Sequence, residues 1–362
     1  MRMKKLMILA VAAIALVACS KTFDTGVRTN EGKAIGFGTW TEHLTKTGPA
    51  SVDNAFAVND NFKVWGEKLV ESTHTDVFTG VTVTKTVASP ETWNYSPKQY
   101  WDLSATNYTF YAIAPASDGY NVDETTGAVS DSPTISFAGN DNDVLVAQQA
   151  VVAKTAGSGN FDSFAPVRLT FNHVAALVDV KVKISAGLVA AGAQVQVSSI
   201  ALTNISKEGS FTVAGGYTTA PAAVWAPSTP AAGTTGSFGP TNGCTDASSG
   251  LNTDLDASGT ILINKLIVMP QDFRDAGDYI QKLDIDYSIT QTGGAANNFT
   301  PDPFSLKTFD SVDDTDNTDS HPSGWAPGIH YTYVVTIDAH AIDFTAEISN
   351  WSTETQYYYL VN

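Results

Sequence analysis

Apolar and polar positions alternate along most of this chain with a period of two. In Val178-Asp179-Val180-Lys181-Val182-Lys183-Ile184 the four aliphatics fall on one face and the three charges on the other. Leu283, Ile285, Tyr287 and Ile289 alternate with Lys282, Asp284, Asp286 and Ser288. Ile342, Phe344, Ala346 and Ile348 do the same with Asp343, Thr345, Glu347 and Ser349. One apolar face at this period predicts half-buried antiparallel strands. Residues 261–269 are apolar apart from Asn264 and Lys265 and stop at Pro270, so their second half suits a strand buried on both faces. Apolar runs at helical spacing are scarce, while Thr, Val and Tyr abound. An all-β protein built of sandwiches follows.

Breaks in the pattern divide the chain. Residues 34–40 form a short strand with Ile35 and Phe37 on one face, while Gly36 and Gly38 leave the other nearly bare. A strand-rich block runs from about 56 to 165. The turn cluster Ala156-Gly157-Ser158-Gly159-Asn160, then Pro166 before a fresh apolar run, places a boundary near 165. The second block, 166–362, carries an Ala/Gly/Thr/Ser/Pro-rich stretch at 215–259 that reads as a surface loop. Trp225 and Phe238 within it are isolated aromatics, either a contact patch or, on the better reading, residues the loop tucks in for itself.

The N-terminus departs from the alternation. Arg2, Lys4 and Lys5 precede an apolar run from Leu6 to Val17, too short for a membrane span of ~20 residues. Leu16-Val17-Ala18-Cys19 resembles the bacterial lipobox. There the leader is cut before the cysteine and the thiol is acylated. Residues 1–18 are then a lipoprotein signal peptide and Cys19 the lipidated N-terminus; an ordinary secretory peptide is the other reading. Both predict export.

Charge and cysteine usage narrow the partners. The formal charge is −17 over 362 residues, which argues against nucleic acid or anionic lipid. With Cys19 taken by lipid, Cys244 stands alone, so no internal disulfide forms and stability rests on packing. Catalytic signatures such as Gly-x-Ser-x-Gly or His-Glu-x-x-His do not occur, no two histidines sit at i, i+4, and no cofactor site is nominated. His173, in a predicted strand, reads as a hydrogen-bonded structural residue. The acidic run 310–319 has neither the turn glycine nor the late glutamate of an EF-hand loop and reads as a solvated loop. No metal site and no enzyme activity are expected.

Several strings together resemble the fimbrillin (type V pilin) proteins of Bacteroidetes. They are the lipobox, Ile35-Gly36-Phe37-Gly38 followed by Thr45-Lys46, Trp93-Asn94-Tyr95 with Trp101, and Tyr108-Thr109-Phe110-Tyr111-Ala112. Leu169-Thr170-Phe171-Asn172-His173, Met269-Pro270-Gln271, the run from Trp325 to Tyr333, and Asn350-Trp351 complete the series. The resemblance implies two tandem transthyretin-like β-sandwich domains, 47–165 and 166–362. It also implies a leader, 19–46, whose strand is removed by a surface protease of Arg or Lys specificity, then polymerisation into fimbriae by donor-strand exchange with other copies or related pilins. The removable strand would present Ile35, Phe37 and Trp40, and the cut would follow Lys46. Cutting at Lys21, Arg28 or Lys33 leaves the strand attached.

The C-terminal tail leaves two options open. Tyr357, Tyr359 and Val361 share one face and Tyr358 and Leu360 the other. The tail is either a free donor strand or the last strand of the second sandwich. Beside the fimbrial-subunit reading stand an anchor or tip subunit, and a surface lipoprotein that binds glycan or host protein through Trp93, Trp101 or Trp225. A hydrolase ranks last, because no spacing nominates a carboxylate pair.

Overall fold

A computed structural model describes residues 33–41, 56–137, 143–156, 161, 165–219, 221–228, 235–240, 251–308, 310–311, 322–339 and 342–350. The fold is all-β. Among the described residues there is one short α-helix, Ala186–Ala190, and no helix long and apolar enough to cross a membrane.

An eight-stranded sheet holds the N-terminal half. Its first elements are β1 (Phe37–Thr41), β2 (Asn61–Val70), β3 (Thr73–Val87), β4 (Thr92–Asn94) and β5 (Asn107–Ala114). The order is β1, Val167–His173, Leu145–Ala147, β5, β2, β3, β4, with Ala150–Ala153 also on β5. Alternation sorts its side chains: Phe62 and Val64 in β2 face one core with Phe78, Phe110 and Phe171, while Trp65, Ile113 and Val146 face the other way. The chain leaves this sheet only after His173, past the break that Pro166 suggests. A proline at the first residue before a strand costs no ladder bond, so it marks a strand start as readily as a boundary.

Two five-stranded sheets hold most of the C-terminal half. One has the order Thr260–Val268, Ala176–Ile184, Ile329–Ile337, Ile342–Asn350, Asp310–Ser311. The other is built around Gln194–Ser206 and Lys282–Thr290. Val178, Val180, Val182 and Ile184 of the first meet Val195, Val197, Leu283 and Ile285 of the second in one core. Leu266, Ile267, Val268 and Met269 are all buried, as the apolar run predicts. Asp179 differs from its expected exposed face. It keeps the face opposite Val178 and Val180 but is buried there, where its carboxylate accepts the N–H of Lys265, at an irregularity of the neighbouring strand, and pairs with His330 Nε2 at 2.9 Å.

A third five-stranded sheet clasps the halves together. It combines Asn121–Val122, Val129–Asp131 and Ile135–Ser136 with Glu208–Val213 and Ala223–Pro227. Phe211 and Val213 pack on Trp65 and Ile113 of the first sheet, and Phe137 packs with Leu177, Ile267 and Met269 of the second half. The stretch 215–259 is therefore not loop throughout. Ala223–Pro227 and Thr235–Phe238 are strands, and Phe238 is buried, because small residues pair in a ladder as well as large ones.

Candidate functional site

β1 closes the eight-stranded sheet. On one side it pairs in parallel with Val167–His173, Phe37 opposite Val167 through Thr41 opposite Phe171. On the other, the far end of the rolled sheet returns beside it, and Thr39 Oγ1 donates to Glu91 Oε1 at 2.8 Å, next to β4. The segment just before β1 is held by the 95–101 loop. Ile35 N donates to Gln99 O at 2.8 Å, and the Tyr95 hydroxyl donates to Ile35 O at 2.7 Å. Val167 N donates to Gly36 O at 2.7 Å.

Two side chains fill the seam. Ile35 and Phe37 are 1% and 5% exposed. The Phe37 ring centroid lies 5.4–6.0 Å from those of Phe62, Phe78, Tyr95 and Phe110, all edge-on. Burying each of the two contributes roughly 1.5–3 kcal/mol, and edge-on aromatic pairs add about 0.5–1.5 kcal/mol. Burial also pushes the Tyr95 phenol above its ordinary value, with the Gln99 backbone hydrogen bond opposing. Gly36 and Gly38 contribute little, since a Cβ on either would only reach ordinary contact with Pro166 at 3.8 Å. Without β1, four aromatic rings and one edge of backbone N–H and C=O groups along Val167–His173 would be left open, an unfavourable state.

A fimbrillin-like family model matches residues 49–351. The chain belongs to the fimbrillin-like family. Among solved structures, it is similar to a fimbrial protein from Bacteroides vulgatus, with 17% identity over 88% of this chain and 100% of that one and a TM-score of 0.51. It is also similar to a candidate cell adhesion protein from Bacteroides uniformis (14% identity, 88% and 98% covered, TM-score 0.45). The tip fimbrial protein Mfa3 from Porphyromonas gingivalis, with C-terminal truncation, gives 12% identity, 81% and 95% covered, TM-score 0.34. No curated protein matches the chain. At these identities the likeness is one of fold.

The fimbrillin-like chain brings only part of its sequence-predicted site together. Ile35 and Phe37 meet in the seam, and the backbone of Trp40 pairs in β1 opposite Thr170. Cys19, Lys46, the Trp40 side chain, and Tyr357, Tyr358, Tyr359, Leu360 and Val361 lie outside the described residues. The walls of the seam (Phe62, Phe78, Tyr95 and Phe110) are not nominated by the sequence reading. Their signal is the aromatic density of 56–110 at alternate positions. Of the tryptophans proposed as ligand contacts, Trp93 and Trp101 are core residues, 7% and 1% exposed, and only Trp225 stays half-buried at a surface. His173 Nδ1 sits 3.1 Å from Asp143 Oδ1 in a buried pair, the structural role expected of it. Among the described residues no group of three His, Cys, Asp or Glu is placed to hold a metal.

Proposed function

We propose that this fimbrillin-like chain is a non-enzymatic structural subunit of cell-surface fimbriae, made as an outer-membrane lipoprotein acylated at Cys19 and cut after Lys46. Its β1 is a placeholder, exchanged for a strand of another copy or a related pilin. The supporting observation is the placement of Ile35 and Phe37 as a two-residue plug, carried by a segment that joins the rest of the chain only through 42–55. Once the bond after Lys46 is cut, β1 belongs to a separate 19–46 fragment, held by two buried side chains, a short ladder and a few hydrogen bonds from Glu91, Tyr95 and Gln99. A competing strand that fills the same two positions and adds side chains opposite Gly36 and Gly38 binds better, with main-chain hydrogen bonds supplying affinity and alternate side chains register. The aromatic tail 357–361 is the donor this chain itself offers. Within this reading, the division into two transthyretin-like sandwiches separates the half that receives a strand from the half that carries the tail.

N-terminal sequencing of protein from sheared fimbriae tests the proposal. A start at Thr47 is expected. Recovery of acylated Cys19 alone overturns the processing step and makes the chain an anchor subunit, or a stand-alone lipoprotein if no fibre contains it.

A further inference from the structure

A cleft of about 760 Å³ opens between the edge strand Ala223–Pro227 and the ribbon formed by Gln271–Asp272 and Gly324–Trp325. It is remote from β1 in the fold, and the seam has no use for it. Its size falls within the ~300–1,000 Å³ of sites for compact organic ligands. Trp225 lines one side. Its indole N–H donates to Val174 O at 2.7 Å and its ring packs 5.0 Å from Phe211, so it is a fixed, half-buried aromatic wall.

The opposite wall is polar and pinned. Gln271 Oε1 accepts Ser206 N at 2.9 Å, while Gln271 Nε2 donates to Met269 O at 3.0 Å. Gln281, 2% exposed, accepts Arg274 N at 3.0 Å through its side-chain oxygen. That bond fixes the backbone from which the half-buried Arg274 side chain enters the cleft lining. No carboxylate lies within ion-pair distance of Arg274 among the described residues. Tyr331, 4% exposed, accepts Ala326 N at 2.9 Å through its hydroxyl, which keeps its own proton to give, and buried Ser206 also lines the space.

We infer that this cleft binds a carboxylated sugar. A guanidinium matches a carboxylate in a two-point hydrogen-bonded fork, the hydroxyls of Ser206 and Tyr331 match ring hydroxyls, and the Trp225 face matches the apolar face of a pyranose. An uncharged apolar ligand would leave Arg274 desolvated and unpaired, which is unfavourable. Exposed Asp272 on the rim opposes the anion and sets a second test of sign.

Isothermal titration of the full chain with 3′-sialyllactose, with trigalacturonate, and with lactose as the uncharged comparison decides the matter. At least one acid is expected to bind, and lactose to bind at least about tenfold more weakly. Arg274→Gln is expected to lose about ten- to hundredfold in affinity for that acid with an unchanged melting temperature, and Asp272→Asn to tighten it about two- to threefold. Lactose binding as tightly as the acids, unaltered binding by Arg274→Gln, weaker binding by Asp272→Asn, or no binding by either acid overturns the assignment.

Discussion

The longest parallel strand pair of each half joins segments far apart in sequence, and the two pairs are placed oppositely. In the C-terminal half, Ala176–Ile184 pairs with Ile329–Ile337 over eight positions at the centre of its sheet, with another strand on the outer side of each. In the N-terminal half, β1 pairs with Val167–His173 over five positions at the end of its sheet, and no strand pairs with its other edge among the described residues, where a Thr39–Glu91 bond and the 95–101 loop hold it. The central pair can be lost only with its sheet. The edge pair can be lost by withdrawing one short strand, and what that exposes is a defined row of aromatic sockets. Position in the sheet, more than the chemistry of the pairing, separates a structural strand from an exchangeable one.

The largest effect that tests this contrast is at Phe37. Phe37→Ala is expected to destabilise the first sheet by about 3–5 kcal/mol, because four rings surround the vacated volume and cannot all collapse into it. Native-state hydrogen exchange should show faster exchange in β2 and β5 while Ala176–Ile184 keeps its protection. Equal loss in both halves would mean that the clasping sheet makes one cooperative unit of them, and the contrast would fail.

Alkaline pH probes the two halves by a different route. Burial raises the phenols of Tyr108 and Tyr111 to about 12 in the first sheet, and raises those of Tyr331 and Tyr333 in the second half. A raised folded-state pKa means the folded protein holds its proton longer than the unfolded chain. The stabilisation is therefore complete below pH 10 and is lost as pH rises from 10 towards 12, at about 1.4 kcal/mol per pH unit for each such tyrosine. Denaturant midpoints between pH 9 and 12 should fall accordingly, and Tyr108→Phe should flatten the slope. A stability that is level across this range would refute the burial argument.

Tyr95 isolates the hold on the strand from the packing around it. Tyr95→Phe keeps the ring beside Phe37 and removes only the hydroxyl that donates to Ile35 O. A loss of about 1–2 kcal/mol is expected from the first sheet alone, read by denaturant unfolding with hydrogen exchange of residues 34–38. No change in their exchange would show that the ladder with Val167–His173 suffices.

Much of the fold is legible in period-two runs. Val178 to Ile184 and Leu283 to Ile289 declare their buried face outright, and Ile35 with Phe37 declare a strand that needs a partner. The partner itself is not legible. Parallel pairing of β1 with Val167–His173 spans 130 positions, and no local pattern encodes which distant edge a strand will meet. Asp179 misleads for a related reason, since its predicted face is covered by groups of two neighbouring strands, the Lys265 N–H and the His330 ring, which its own neighbours in sequence do not reveal. Trp93 and Trp101, offered as contacts in the ligand-binding reading, fill the first core, and a single tryptophan's burial has no local signature in the sequence. In the cleft, Arg274 carries no sequence signal at all: its meaning comes from lining one space with Trp225, Gln271 and Tyr331, a fact of three dimensions.

The smallest change sharpens the contrast most. Glycine in a strand interior is unfavourable because the unfolded chain gains freedom and the strand gains no packing. At Gly66 in β2 that loss is forced, since a Cβ would lie 2.7 Å from Thr109 O and 2.9 Å from the Phe110 ring. At Gly36 and Gly38 nothing forces it, because Pro166 stands 3.8 Å away. Gly38→Ala should therefore stabilise the first sheet by about 0.4–1 kcal/mol, and Gly66→Ala should destabilise it. If β1 is a placeholder, the two glycines leave it weaker than the groove permits, and filling them slows its release. Gly38→Ala is then expected to fold at least as well as the parent chain and to assemble more slowly after cleavage, by about two- to fivefold on the same free-energy scale. Faster or unchanged assembly would show that the bare face of β1 has no bearing on exchange.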